Sequence, residues 1–137
     1  MRNYPAPTNL QVLPKNLTGA QVHEIMESFA GSLGVHCDYC HAADPTKLGP
    51  NGRPQLNFAD DSKDDKKIAR IMIQMVGQIN GDYISKTTAI DPDAMGMKVT
   101  CGTCHRGHDM PEEFVIPKQG PPPASGAPPA GTPPPSN

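Results

Sequence analysis

Two stretches of the chain carry apolar residues at helical spacing. In the first, Val22, Ile25, Met26, Phe29, Ala30 and Leu33 fall at offsets of 0, 3, 4, 7, 8 and 11, one face of an α-helix. Thr18 and Gln21 form a capping box ahead of it, Leu17 is placed to pack on Val22 as a hydrophobic staple, and Gly34 supplies the stop. In the second, Ile68, Ile71, Met72, Met75, Val76 and Ile79 repeat the same offsets. This helix is predicted to start near Ser62, with Asp61, Asp64 and Asp65 at its positive end. Its apolar stripe is expected to be buried, with Lys63, Lys66, Lys67 and Arg70 on a solvated surface. Gly77 weakens the helix and leaves room for a flat ring or a second helix, Gly81 loosens its end, and Tyr83 continues the face.

The remaining segments lack either period. Pro5, Pro7 and Pro14 make residues 1–16 an extended lead-in, with Leu10, Val12 and Leu13 along the surface. Residues 42–61 read as a polar loop rich in Pro and Gly, and 84–100 as a second loop. From Pro117 the composition turns to Pro, Gly, Ala and Ser, an extended tail with no means of forming a core. The organisation is thus a lead-in over 1–16, a folded domain over 17–116 and a tail over 117–137. The predicted class is mainly α: two helix-and-motif repeats with long loops and a Pro-rich extended tail.

The motif that ends each repeat is Cys37-Asp38-Tyr39-Cys40-His41 and again Cys101-Gly102-Thr103-Cys104-His105. C-x-x-C-H is the attachment signature of c-type haem. Two thiols three positions apart can each add to one vinyl group of the same haem, and the histidine that follows is held under the iron as an axial ligand. All four cysteines are consumed, which gives two covalently bound haems with proximal ligands His41 and His105. One shared zinc explains less, since 60 residues separate Cys40 from Cys101 and zinc does not account for a histidine at the same offset twice. Two disulfides suit adjacent C-x-x-C pairs poorly as structural staples.

The sixth ligands are open from spacing alone. Met26 lies centrally on the first helix, with His23 about 60° round the helix as its rival. Met72 and Met75 both lie on the second stripe, Met95 and Met97 follow it, and His36 and His108 are further spare histidines. Arg53 and Arg106 are candidate partners for haem propionates.

Composition fits a chain built around a large apolar cofactor. There is no Trp, with three Tyr and three Phe among 137 residues, a thin aromatic supply that two haems would make good. A formal net charge of -2 gives no basis for nucleic-acid binding. No stretch approaches a membrane span and no leader is visible, although thioether-linked haem places the protein outside the cytoplasmic membrane, periplasmic or extracellular.

Several of these residues also carry a family resemblance. Asn9-Leu10-Gln11-Val12-Leu13 with Leu17-Thr18, Met26 ahead of Gly34-Val35-His36-Cys37, Met75 with Gln78-Ile79-Asn80, and Val99-Thr100-Cys101 through Arg106-Gly107 resemble the cytochrome subunit of photosynthetic reaction centres and shorter proteins related to it. The resemblance covers about residues 9–107 and omits the tail. It implies a helix running parallel to each haem plane, with a helical methionine as sixth ligand. By position that favours Met26 for the haem on Cys37 and Cys40, and Met75 over Met72 for the haem on Cys101 and Cys104. The reaction-centre subunit has four haems, and the histidine it carries after the second helix has no counterpart between Met75 and Cys101. Service to a photosynthetic reaction centre is therefore not implied.

The function expected from these features is electron transfer between redox protein partners, not enzymatic turnover. A second reading is a protomer of a conductive extracellular filament, assembled through the lead-in and the Pro-rich tail. A third, a dihaem peroxidase, needs an open sixth position beside acid–base groups, for which the spare histidines are the sole candidates.

Overall fold

The structure is a computed structural model that describes residues 2–94 and 98–121. Met95, Met97 and the tail beyond residue 121 lie outside the described residues.

Helix α1 spans Gly19–Leu33 and forms as its end signals dictate. The Thr18 hydroxyl accepts the Gln21 amide at 3.2 Å, while the Gln21 side chain accepts the Thr18 amide at 2.9 Å. Gly34 caps the other end in the left-handed region at φ 66°. The predicted stripe is the half-buried side of this helix.

The lead-in forms no helix or strand, bends at Thr8 and over residues 11–13, and crosses the start of α1. The Tyr4 ring stacks on His23 at 4.3 Å. A Cβ on Gly19 would collide with the carbonyl oxygens of Pro5 and Tyr4, so this crossing requires glycine.

Residues 42–61 are not simply a loop. Strands β1 (Ala42–Leu48) and β2 (Pro54–Asn57) pair antiparallel, with Ala43 opposite Leu56 and Asp44 opposite Gln55. The turn is closed by the Gly52 amide on the Gly49 carbonyl (3.0 Å) and the Gly49 amide on the Arg53 carbonyl (2.8 Å), with Gly52 at φ 73°. The hairpin carries no apolar alternation, so the period that announces a strand is missing. Its prolines are tolerated because a two-stranded ribbon is all edge, and Pro45 falls in the irregularity between Asp44 and Leu48.

Helix α2 spans Asp64–Gln78, with Asp64 and Asp65 in its first turn. It does not fray at Gly81. A π turn over Ile79–Ile84 leads into α3 (Ser85–Ile90), so the helical rod takes up part of the segment expected as a loop. The Thr87 and Thr88 hydroxyls bond the Ile84 carbonyl at 2.7 and 3.2 Å. The rod ends at Asp91, which is extended because Pro92 follows it.

The orientation of α2 differs from expectation. Ala69, Arg70, Ile73 and Val76 are half-buried and Lys66 is 8% exposed, whereas Ile68, Ile71, Met72 and Met75 face outward. Ile71 is 60% exposed and Met75 43%. Lys66 and Arg70 are thus not solvated surface, because the chain turns three carbonyl and carboxylate acceptors toward them at Phe58, Asp60 and Asp61. Among the described residues no atom outside the backbone of α2 itself lies within 4 Å of a Cβ built on Gly77, so none of the described helices closes on it. Among the described residues no hydrophobic side chain is fully buried. The described residues alone do not make a sealed core.

Candidate functional site

The first motif lies on a 3₁₀ turn, Cys37–Tyr39, three residues beyond the Gly34 cap. The turn is closed by the Cys40 and His41 amides, both on the Cys37 carbonyl, at 3.3 and 3.0 Å. His41 is half-buried, with its ring edge-on to Phe58 at 5.0 Å. Among the described residues its buried Nδ1 has no hydrogen-bond partner. Burial, reinforced by Lys66 and Lys63, holds His41 below the usual histidine range, so the ring is the neutral imidazole that a metal requires.

The second motif is helix α4, Cys101–His105. Thr100 and Thr103 cap it reciprocally, the Thr100 amide donating to the Thr103 hydroxyl at 2.9 Å. Past His105 the chain reverses through Arg106 (φ 53°) and Gly107 (φ 86°), both left-handed. The reversal sets the His108 carbonyl 3.0 Å from His105 Nδ1. A carbonyl only accepts, so Nδ1 carries the proton and the Nε2 lone pair is left for a metal.

Burial raises the Cys40 and Cys101 thiols above their ordinary values, keeping them protonated. All four cysteines are unpaired. Among the described residues no three His, Cys, Asp or Glu side chains converge on a single metal ion.

Cys101 opens onto an apolar cleft of about 380 Å³. Its walls are Ser28, Phe29 and Ser32 of α1, Val76 of α2, and Val99 with Thr100. The donor set and this cleft fit a c-type haem: paired thiols one turn apart, an imidazole with its lone pair free, and an apolar wall from two helices.

The other predicted residues fall at varied distances from the motifs. Met26 is half-buried on the α1 stripe. Met75 precedes the cleft residue Val76 on α2, and Met72 is 37% exposed one turn earlier. His23 is engaged by Tyr4 and by Glu27 at 3.7 Å, and His108 by Glu112 at 3.4 Å. His36, Arg53 and Arg106 are exposed.

Sequence reasoning missed the bonds that hold the two motifs in place. The Gly107 amide donates to the Ser32 carbonyl at 2.8 Å, and Tyr39 Oη lies 3.4 Å from Asp109 Oδ2. Asn80, in the π turn, donates to the Val99 carbonyl (2.8 Å) and accepts the Val99 amide (2.7 Å), fastening the approach to Cys101. Asn9 donates to the Ala59 carbonyl at 2.8 Å and to Asp61 at 3.0 Å. Asn9, Asn80 and Val99 all sit in the stretches that carry the family resemblance, which was their one signal.

The family described as photosynthetic reaction centre cytochrome C subunit matches residues 49–132, which contain the second motif and begin after the first. Cytochrome c-554 of Chloroflexus aurantiacus is 33% identical over 106 residues, 77% of this chain and 22% of that protein. The photosynthetic reaction center cytochrome c subunit of Rubrivivax gelatinosus is 34% identical over 93 residues, 68% of this chain and 19% of that protein. The chain spans about a fifth of the length of these curated relatives. With a match over more than half its length, a paired-thiol and imidazole donor set and the covalent haem that this membership implies, the chain belongs to the photosynthetic reaction centre cytochrome c subunit family.

Proposed function

We propose that the protein is a dihaem c-type cytochrome that passes electrons between redox protein partners. The observation that carries this reading is the repeated donor set, two C-x-x-C-H motifs fastened to each other through Ser32 and Gly107. When bound, haem supplies a one-electron ferrous–ferric couple whose potential the protein sets. Cys37 and Cys40 hold one haem and Cys101 and Cys104 the other. His41 and His105 would be the proximal ligands, His105 through Nε2 because its Nδ1 is held by the His108 carbonyl. Met26 and Met75 are assigned as the sixth ligands, an arrangement that raises the potential relative to bis-histidine ligation.

With Met26 and Met75 in those roles, the chain's own residues would leave no coordination position for a substrate, and the proposed function is conduction. None of the described helices is long and apolar enough to cross a membrane. The proposed location is the outer side of the cytoplasmic membrane, where thioether-linked haem is assembled.

The test is a pyridine haemochrome count beside a near-infrared and electron paramagnetic resonance spectrum of the oxidised holo-protein. Two c-type haems with a methionine-to-iron charge-transfer band are expected. A count of one, or bis-histidine signals alone, overturns the corresponding assignment and redirects attention to His23, His36 and His108.

A further inference from the structure

One buried charge beside the first motif has no part in haem attachment or axial ligation. Lys66 is 8% exposed, on the inward face of α2. Its Nζ donates to the carbonyls of Phe58 (2.8 Å) and Asp60 (2.6 Å) and lies 2.9 Å from Asp61 Oδ1. Arg70 Nη2 shares that carboxylate oxygen at 3.0 Å, and Asn9 Nδ2 reaches both of its oxygens at 3.0 Å. The Asp60 carboxylate is turned away, accepting the Ser62 amide at 2.7 Å. Two cations thus share the Asp61 carboxylate, with Asp60 and Asp65 the other acids near this side of the first motif, and Lys66 is the most buried charge of the group.

Phe58, whose carbonyl Lys66 holds, meets the His41 ring edge-on at 5.0 Å. The ammonium group therefore fixes the wall against which the first proximal histidine packs. Burying a lysine carries a large desolvation cost, and a pinning role alone does not require a charge.

We infer that Lys66 is a positioning residue for the haem on Cys37, Cys40 and His41, and that its charge raises the reduction potential of that haem relative to its neighbour on Cys101 and Cys104. The inference rests on the dihaem reading. A nearby positive charge favours the ferrous state, which carries one positive charge fewer than the ferric. Lys66 thus biases transfer within the molecule from the second motif toward the first.

The test uses holo-protein carrying Lys66→Met, Lys66→Arg or Asp61→Asn, with redox titration followed by nuclear magnetic resonance to resolve each haem. Lys66→Met is expected to lower the first haem's potential by about 59 mV, a roughly tenfold shift in its ferrous-to-ferric ratio. The second haem stays unmoved. Lys66→Arg, which keeps the charge, restores the parent value. Asp61→Asn moves the first haem the opposite way, upward, and decides the sign even if Lys66→Met fails to fold. Equal shifts at both haems, no shift in Lys66→Met, or a downward shift in Asp61→Asn overturns the inference. A haem count below two in the parent protein sinks the dihaem reading, whereas two haems with unmoved potentials sink the Lys66 inference alone.

Discussion

The amide of Gly107 is bonded to the carbonyl of Ser32 at 2.8 Å. Ser32 stands in the last turn of the helix that delivers the chain to Cys37, and Gly107 stands two residues beyond His105. The contact fastens the exit of the second motif to the entry of the first. It needs a bare backbone at Gly34, where a Cβ would collide with the Gly107 carbonyl, while one on Gly102 would make a tight 3.3 Å contact with the Ser32 hydroxyl.

Gly34→Ala tests this contact directly. The substitution places a side chain at φ 66° and against the Gly107 carbonyl, and is expected to cost on the order of 2–3 kcal/mol. Thermal unfolding of the holo-protein checks it. A variant as stable as the parent would mean that the two motifs are not held together here.

Asn80→Ala removes both bonds to Val99 and leaves two backbone groups without partners. A loss of about 1–3 kcal/mol is expected, together with faster hydrogen exchange at the Val99 amide. Unchanged exchange at that amide would show that the π turn does not anchor the approach to Cys101.

The two thiol pairs are predicted to act independently in haem attachment. Replacing Cys37 and Cys40 by Ser lowers the covalent haem count by one, and replacing Cys101 and Cys104 lowers it by the other. Intact-protein mass measures both. Complete loss of haem from either double variant would contradict two separate sites.

Met75→Ala is predicted to remove one haem's share of the methionine-to-iron charge-transfer band, while Met72→Ala leaves the band intact. Near-infrared spectra of the oxidised variants compare the two. The reverse result would move the assignment one turn along α2.

Asp61 supplies a pH prediction whose sign is fixed by its partners. Arg70, then Lys66 and Asn9, hold its carboxyl well below the usual carboxylate range. The folded pKa is depressed, so the stabilisation is fully present above the unfolded value, about 3.9, and is lost as pH falls through the lower folded value. Acid unfolding of the holo-protein is expected to begin at a higher pH in Asp61→Asn than in the parent. Coincident acid transitions would remove Asp61 from the account of stability.

Much of the site was legible because it is written in adjacent residues. The two C-x-x-C-H motifs, the capping box at Thr18 and the Gly34 stop are local signals, and the structure forms the capping box and the stop where the sequence puts them. The failures share a different cause. The hairpin lacks alternation, so its turn at Gly49–Gly52 pointed only to a break. On α2 the apolar stripe reads as interior because burial usually follows hydrophobicity, yet the polypeptide turns Lys66 and Arg70 inward. A periodic pattern identifies a face without saying what covers it, and the acceptors that draw in Lys66 come from Phe58 and Asp60, at the end of a segment with no period. Bonds such as Ser32 to Gly107 join residues far apart in sequence and leave no pattern.

The hairpin also bears on how such a chain tolerates change. Its principal packing is of β1 on β2, and its tip at Gly49–Gly52 stands apart from the Ser32–Gly107 and Asn80–Val99 bonds. Extra residues inserted at that tip would lengthen the path along the backbone from Cys40 to Cys101 without altering the separation of the two motifs in space. An insertion there would keep the relative placement of the two motifs, and a label or tether for attaching the protein to an electrode belongs at the same place.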